Sequence, residues 1–466
     1  MIKKNILFFG FDIGRYRNNL LDLLSKKDTF NVIPFDHRLE NPEKILKIYD
    51  NYDFKETLGP SIHSKEFHQY FLAIQRRRGK ELELHECYCE WQINFSYFSH
   101  FLKEKKIDIL LFANCPHQGI DIALWHAGKY ANLETLFFWQ VSLFYSLPKS
   151  YNINGKFIFS STLEDHQIIY KNNDFKPLKK KVNLNKSYRN LSIAFLDSKM
   201  KRNAAFYEFL RTNKFYLLIG KYNFKHFLRH VFAVLTLKKS VRKHFFYLKN
   251  LINMISINNE NELNSVKPYI FFPLQQQPEM TTAILGGDFT EISDAIVLLA
   301  KYAEDKGINI VVKENPRQYH FQRSQNFFRR LSKHKNIKFV STSISAQTLI
   351  NNSCGVSSIT GTPAIEAVFS NKNVLIFGNP WFKRCKAFFS YQNPKDILNF
   401  LEAIQSKELH NGGDILNEFL FDLSPKLCDG VIDPHVLSPS QKEESSDVLN
   451  QTCNSILKCL NFKFGI

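Results

Sequence analysis

The sequence predicts an α/β protein made of two Rossmann-like domains with a helical region between them. Three observations carry that prediction. Short apolar runs of strand length alternate with stretches of helical periodicity, as parallel sheets with covered faces require. The runs end in polar loops containing Gly, Pro or Asn. The alternation occurs twice, once near the start of the chain and again, more regularly, after residue 267.

The first domain is read over residues 1–190. A strand at 5–10 (NILFFG) leaves through Gly10 into a turn and a helix ending near Lys26, which is a β-turn-α opening. A second strand at 107–113 (IDILLFA) ends in the loop Asn114-Cys115-Pro116-His117-Gln118-Gly119; helical spacing follows over 120–130 and a strand over 135–139. Residues 191–266 form the connecting region, helical, aromatic and basic, with one strand signal at 215–219. Within it 224–255 has the spacing of an amphipathic helix, open to two readings: core or bridge packing, and adsorption to an anionic membrane surface. A polar stretch, SINNENELNSVKP, leads out of it.

The second domain is read over 267–405. Strands are expected at 269–273, 309–313, 337–340, 355–359 and 373–377, with helices at 289–306, 321–334, 345–351 and 363–370, a doubly wound pattern. A capped helix at 393–404 follows. The rest, 406–466, reads as a loop-rich tail around Gly412-Gly413 with a final helix over about 447–460 that can return to the first domain.

Composition narrows the function. At 466 residues, 44% hydrophobic and 23% charged, the chain can bury two cores. No basic and apolar leader opens it and no run reaches the roughly 18 apolar residues of a membrane span, so a cytoplasmic location is expected. The eight cysteines are scattered, and the Cys87/Cys89 spacing suits zinc poorly; reduced thiols are expected. The formal charge of +18, with basic clusters at 176–186 and 238–249, attracts anions such as nucleotides, lipid headgroups or acidic glycans. No nucleic-acid-binding motif accompanies these clusters, so nucleic acid is not the expected partner.

Ligands of open α/β sheets bind beyond the carboxyl ends of the strands, so the strand exits are where chemistry is expected. In the second domain one exit reads Ser357-Ser358-Ile359-Thr360-Gly361-Thr362-Pro363, with Thr362 as N-cap and Pro363 at the first helical position. Backbone N–H groups and the helix end there suit a phosphate, and Glu366 one turn on suits ribose hydroxyls. An ordinary helix start is the plainer reading of the same letters. A second exit, Lys313-Glu314-Asn315-Pro316-Arg317-Gln318, supplies two cations and two amides, the donors a phosphate ester needs. The third, with Gln275, Gln276, Gln277 and Glu279, is rich in side-chain amides. In the first domain a base for an acceptor hydroxyl would come from His117, Asp12 or Asp121, each equally explicable as a turn or helix-start residue.

These segments resemble those of the capsular polysaccharide synthesis glycosyltransferases, a family that includes the bacterial β-Kdo transferases. The resemblance rests on FPLQQQPEMTT with GGDF (272–282, 286–289), VKENPRQ (312–318) and TGTPAIEA (360–367), in the same order and spacing. More weakly, Gly10 with Arg15 and Arg17, and Asn114 through Asp121, resemble the family's acceptor-side motifs. The resemblance implies a GT-B architecture, two Rossmann-like domains facing across a cleft. It implies transfer of a CMP-activated Kdo-like or other acidic sugar to a glycan or lipid-linked acceptor, peripheral to the inner face of the membrane. Family members have His where this chain has Asn315; asparagine donates a hydrogen bond but carries no charge and shuttles no proton. An oxocarbenium-like transition state with a departing phosphate needs positive donors, so no cofactor and no metal ion is expected. The competing readings are a UDP- or GDP-sugar GT-B transferase, a sugar-nucleotide epimerase and, in another class, a basic membrane- or nucleic-acid-binding protein.

Overall fold

A computed structural model describes residues 4–10, 21–26, 30–34, 59–75, 83–117, 119–141, 156–162, 168–171, 247, 249–315, 318, 323–406, 411–432 and 446–465. The chain divides into two compact units, one made of 1–74, 82–188 and 417–466 and the other of 75–81 and 189–416.

The first unit opens with strands β1 (Lys4–Phe9) and β2 (Phe30–Pro34). Helices α1 (Lys65–Gln75) and α2 (Leu84–Glu104) lead to β3 (Ile109–Phe112), α3 (Ile120–Tyr130), β4 (Glu134–Gln140) and β5 (Lys156–Ser160). β1 lies between β2 and β3, parallel to both, and β4 pairs parallel with β3. β5 then runs antiparallel to β4. The four residues of β3 are all buried, which explains why its text is continuously apolar rather than alternating. Helices α2 and α3 pack through Trp91 against His126 and Phe95 against Tyr130, both edge-on ring pairs.

The second unit holds a seven-stranded parallel sheet: β6 (Ile255–Ile257), β7 (Tyr269–Pro273), β8 (Asn309–Lys313), β9 (Ile337–Val340), β10 (Gly355–Ser358), β11 (Asn373–Ile376) and β12 (Phe389–Ser390). Its helices are α4 (Met280–Ala283), α5 (Ile292–Glu304), α6 (Gln325–Leu331), α7 (Ala346–Asn352), α8 (Pro363–Phe369) and α9 (Pro394–Gln405). α5 shows why they form: Ile292, Ala295, Ile296, Leu299, Ala300 and Ala303 repeat at three- and four-residue steps and are all buried, while Glu291 caps the start by accepting from the Ser293 N–H. The sheet order is β12-β11-β10-β7-β8-β9-β6. From β7 the chain winds outward through β8 and β9, then returns to β10 and winds the other way. The topological switch therefore lies between β7 and β10.

The chain next enters α10 (Gly412–Leu423), within which the division between units falls, and completes the first sheet with β13 (Cys428–Asp429), antiparallel to β5. The first sheet thus has the order β13-β5-β4-β3-β1-β2. Helix α11 (Ser446–Phe464) buries Leu449, Cys453, Ile456, Cys459 and Leu460 in the first unit's core, beside Cys428, Val431 and Ile432. All eight cysteines are free thiols.

Several expectations are adjusted. The helix expected over 289–306 begins at Ile292, because Gly287–Phe289 form a separate 3-10 turn. The one expected over 321–334 is described from Gln325 to Leu331, starting at Ser324, whose hydroxyl accepts from the Phe327 N–H. Residues 412–423, taken as loop because of Gly412-Gly413, are helical: Leu416, Leu420 and Leu423 recur at helical spacing and are buried. Strand β6 and the 3-10 helix Asn261–Val266 occupy the stretch read as connecting and polar. The strand at 215–219, both readings of the 224–246 stretch and the basic cluster at 176–186 lie outside the described residues. Most of the 238–249 cluster does too. Among the described residues no helix is long and apolar enough to cross a membrane.

Candidate functional site at the switch point

The exits of β7 and β10 flank the switch, and one side chain joins them. Gln275, two residues past β7, donates from Nε2 to Thr360 Oγ1 (2.8 Å) and accepts the Thr360 backbone N–H at Oε1 (2.9 Å). The Thr360 hydroxyl in turn donates to the Thr281 carbonyl (2.7 Å), so α4 is tied to the same point. The β11 exit lies alongside, with the Gly378 N–H on the Ile359 carbonyl (2.9 Å), the Asn379 N–H on the Leu285 carbonyl (2.7 Å), and Lys383 Nζ donating to Asn379 Oδ1 (2.6 Å).

The turn before α8 uses most of its own donors. The Gly361 N–H goes to Ser358 Oγ (3.0 Å), and the Ala364 and Ile365 N–H groups close on the Gly361 and Thr362 carbonyls. Pro363 has none. Thr362 stands at the N-cap as expected, exposed, but its side chain makes no capping bond, and its N–H is the donor of this turn that remains. Ser358 is fully buried and serves the turn rather than solvent. Glu366, one helical turn further, is half-buried, and burial pushes its carboxyl pKa above the ordinary range. Among the described residues its carboxylate has no hydrogen-bond or ion-pair partner. A desolvated, unpaired carboxylate beside a strand exit is what a hydroxyl-bearing ligand can satisfy.

The β8 exit is organised differently from its sequence reading. Lys313 Nζ donates to the Ile344 carbonyl past β9, and burial lowers its pKa to about 8. Its charge is thus held toward the β8–β9 side of the sheet and away from the switch. Asn315 is half-buried and its N–H donates to the carboxylate of its neighbour Glu314 (2.7 Å). Pro316 and Arg317 lie outside the described residues. Gln277 is buried: its N–H donates to Gln318 Oε1 (2.8 Å), its carbonyl accepts from Gln318 Nε2 (2.7 Å), and its own Nε2 donates to the Thr290 carbonyl. It braces the loop from inside. Glu279 is exposed and caps α4, accepting from the Thr281 hydroxyl (2.9 Å).

Residues that the sequence names only as members of strand-exit loops carry much of this region, Gln275, Thr281, Glu314 and Gln318, together with Arg323, which it does not single out at all. Gln275 was visible only as one of three consecutive glutamines. Arg323 gave no local signal at all, since its partners lie 9 to 48 positions away.

In the first unit Gly10 follows β1 at a φ of +90°, where a side chain would be strained, against Ala113 at the end of β3. Asp12, Arg15 and Arg17 lie outside the described residues. His117 and Asp121 come together: the His117 N–H donates to Asp121 Oδ2 (2.6 Å), and the ring Nδ1 lies 4.0 Å from the same oxygen. Asp121 Oδ1 accepts from the Ile122 N–H (2.9 Å) at the start of α3. His117 Nδ1 is 2.6 Å from the Cys115 carbonyl, which can only accept, so Nδ1 carries the proton in the neutral ring and Nε2 keeps its lone pair. The side chain is 17% exposed.

A parallel, doubly wound unit with its polar convergence at the switch point belongs to the class of α/β folds that hold nucleotide-type ligands beyond the strand exits. Residues 199–397 match the model of a family described as capsule polysaccharide biosynthesis protein. The matched stretch contains all seven strands of the second sheet. No curated protein matches. Solved structures overlap loosely. The KpsC β Kdo 2,7 transferase of Thermosulfurimonas dismutans shows 10% identity and a TM-score of 0.31, covering 85% of this chain and 90% of that one. The UDP-GlcNAc 2-epimerase of Methanocaldococcus jannaschii shows 13% identity and a TM-score of 0.26, covering 90% of this chain and all (100%) of that one. A glycosyltransferase of Rickettsia africae shows 11% and 0.27, covering 98% of each chain. Overlaps this loose say nothing about function.

Proposed function

We propose that this protein is a glycosyltransferase of capsule or surface polysaccharide synthesis that moves a CMP-activated Kdo-like or other acidic sugar onto a glycan or lipid-linked acceptor. The observation that carries the reading is Glu366: a half-buried carboxylate without a partner among the described residues, one helical turn from the Thr360–Thr362 turn at the switch point of a capsule-family unit. A ribose diol would donate to it and compensate its desolvation. The Thr362 N–H would then be a donor for the nucleotide phosphate. Lys313, still mostly cationic at neutral pH with its pKa near 8, would have to leave the Ile344 carbonyl to join Arg317 at the departing phosphate, and the chain's +18 would draw the anionic donor in.

On the acceptor side, His117 Nε2 takes the proton of the attacking hydroxyl while the Cys115 carbonyl holds the ring and Asp121 holds the His117 backbone N–H. The bond formed joins that oxygen to the anomeric carbon, and the bond broken releases CMP. No metal ion is needed in this scheme, because charge at the leaving group is met by N–H and cationic donors. An acceptor held on lipid would bring the protein to the inner membrane face, where its positive charge matches anionic headgroups.

A thermal-shift series with CMP, UDP, GDP and their sugar conjugates tests this. CMP compounds are expected to raise Tm most, since a ligand at 100 times its Kd stabilises the folded state by about 2.7 kcal/mol. Glu366→Ala and Lys313→Ala should shrink that shift. Equal responses to all three nucleotides would remove the CMP assignment, and no response to any would remove the donor site.

A further inference from the structure

Arg323 and Glu314 form an ion pair whose side chains are 0% and 2% exposed. Arg323 Nε and Nη2 engage the two carboxylate oxygens in a fork, at 2.7 and 2.8 Å. The guanidinium then reaches two further acceptors: Nη1 donates to Gln277 Oε1 (3.0 Å) and Nη2 to the Gln275 carbonyl (2.9 Å). Glu314 is completed by the Tyr247 hydroxyl (3.2 Å) and the Asn315 N–H. The ring of Phe327 lies 4.9 Å from the guanidinium carbon.

Such a pair is a poor way to gain stability. Removing both charges from water costs several kcal/mol per ion, and apolar replacements of similar volume are often neutral or better. What the pair supplies is direction. A planar guanidinium with its donors in a rigid fork fixes every group it touches relative to the others, which an ammonium cannot do. Here those groups are the β7 exit, at Gln275 and Gln277, and the β8 exit, at Glu314. Gln275 is also the residue whose side chain reads the backbone and hydroxyl of Thr360 on the β10 exit. One guanidinium thus sets, through a single intervening residue, the position of the turn at the switch point.

We propose that Arg323 and Glu314 are positioning residues: they hold the β7, β8 and β10 exits in the arrangement that accepts the nucleotide, without touching it. This rests on the donor-site reading above and adds residues that the reading does not use.

The test compares Arg323→Met, Arg323→Lys and the double variant Arg323→Met/Glu314→Gln with the wild type, by melting, by CMP affinity, and by hydrogen exchange of peptides spanning 274–282 and 356–366. Arg323→Met should melt early, because it leaves Glu314 buried and uncompensated. The double variant should recover most of the wild-type melting temperature, yet bind CMP at least about tenfold more weakly and exchange faster in both peptides. Arg323→Lys keeps the charge but loses the fork and should show the same loosening. If the double variant recovers melting, CMP affinity and protection together, the pair is only structural and the proposal fails. Should the double variant not fold, Arg323→Lys decides: wild-type affinity and protection in it overturn the idea. Hydrogen exchange needs no ligand, so a wild type that binds no CMP would defeat the donor-site reading while unchanged protection alone would defeat this one.

Discussion

Glu366 illustrates how a single residue can oppose stability while, under the proposed function, it serves binding. Its carboxyl pKa is raised by burial alone, so between the ordinary value of 4.5 and its folded value the native state holds a proton that the unfolded chain has released. Stability linked to this group is complete below that window and falls as pH rises through it. Glu366→Gln removes the ionisation while keeping the shape. The variant is therefore expected to melt at or above the wild type at pH 7, with the difference closing towards pH 4.5, and to lose its response to CMP. Melting curves of both proteins across pH, with and without CMP, check this; a variant less stable than wild type at pH 7 would mean that the carboxylate has a favourable partner. At this scale the sequence was informative where a side chain's role follows from its place on an element. Thr362 at an N-cap and Glu366 one turn on are legible from the β-turn-α text. Gln275 and Gln277 are not distinguishable there, because which of them faces the switch and which is buried depends on Arg323 and Gln318, 48 and 41 positions away from their respective contacts.

Elements long enough to show a period were legible, and those held in place by neighbours were not. β7 and β8 announce themselves as apolar runs ended by polar loops, and α5 by its repeat. β6, β12 and β13 have three, two and two residues, too few to alternate, and exist because a neighbouring strand offers hydrogen bonds. The same dependence runs from the end of the chain back to its beginning. Helix α11 fills the first unit's core with Leu449, Ile456 and Leu460, each at most 4% exposed, and the Val431 N–H is held by the Thr452 hydroxyl (3.0 Å). Burying three such side chains contributes roughly 1.5–3 kcal/mol each, comparable with the whole stability of a domain. Truncation after Ile432 is accordingly expected to unfold the first unit and leave the second intact. Limited proteolysis should then degrade the β1–β5 region rapidly while a fragment within 189–416 persists. Equal resistance of both units in the truncated chain would show that α11 is dispensable to the core.

Across the whole molecule the two units carry different chemistry. The second presents the switch-point turn, a carboxylate unpaired among the described residues and the braced strand exits, the groups proposed to hold the nucleotide. The first presents His117, with its proton fixed on Nδ1 by the Cys115 carbonyl and its Nε2 left to accept, steadied through the Asp121 carboxylate. Under the proposed transfer, donor binding and acceptor deprotonation are therefore separable by mutation. His117→Asn removes the base but keeps a side chain that can donate to the Cys115 carbonyl. It is expected to leave CMP affinity within about twofold of wild type, because nothing in the second unit changes, while sugar transfer falls by roughly 10²–10⁴-fold, the usual worth of general base catalysis. The loss should be smaller at high pH, where the acceptor hydroxyl needs less help to lose its proton. CMP release from CMP-Kdo in the presence of a lipid-linked glycan, followed across pH beside CMP titrations of the same protein, gives both quantities. A variant that transfers at the wild-type rate would place the base elsewhere, and one that loses CMP affinity in step with transfer would show that His117 belongs to the donor site.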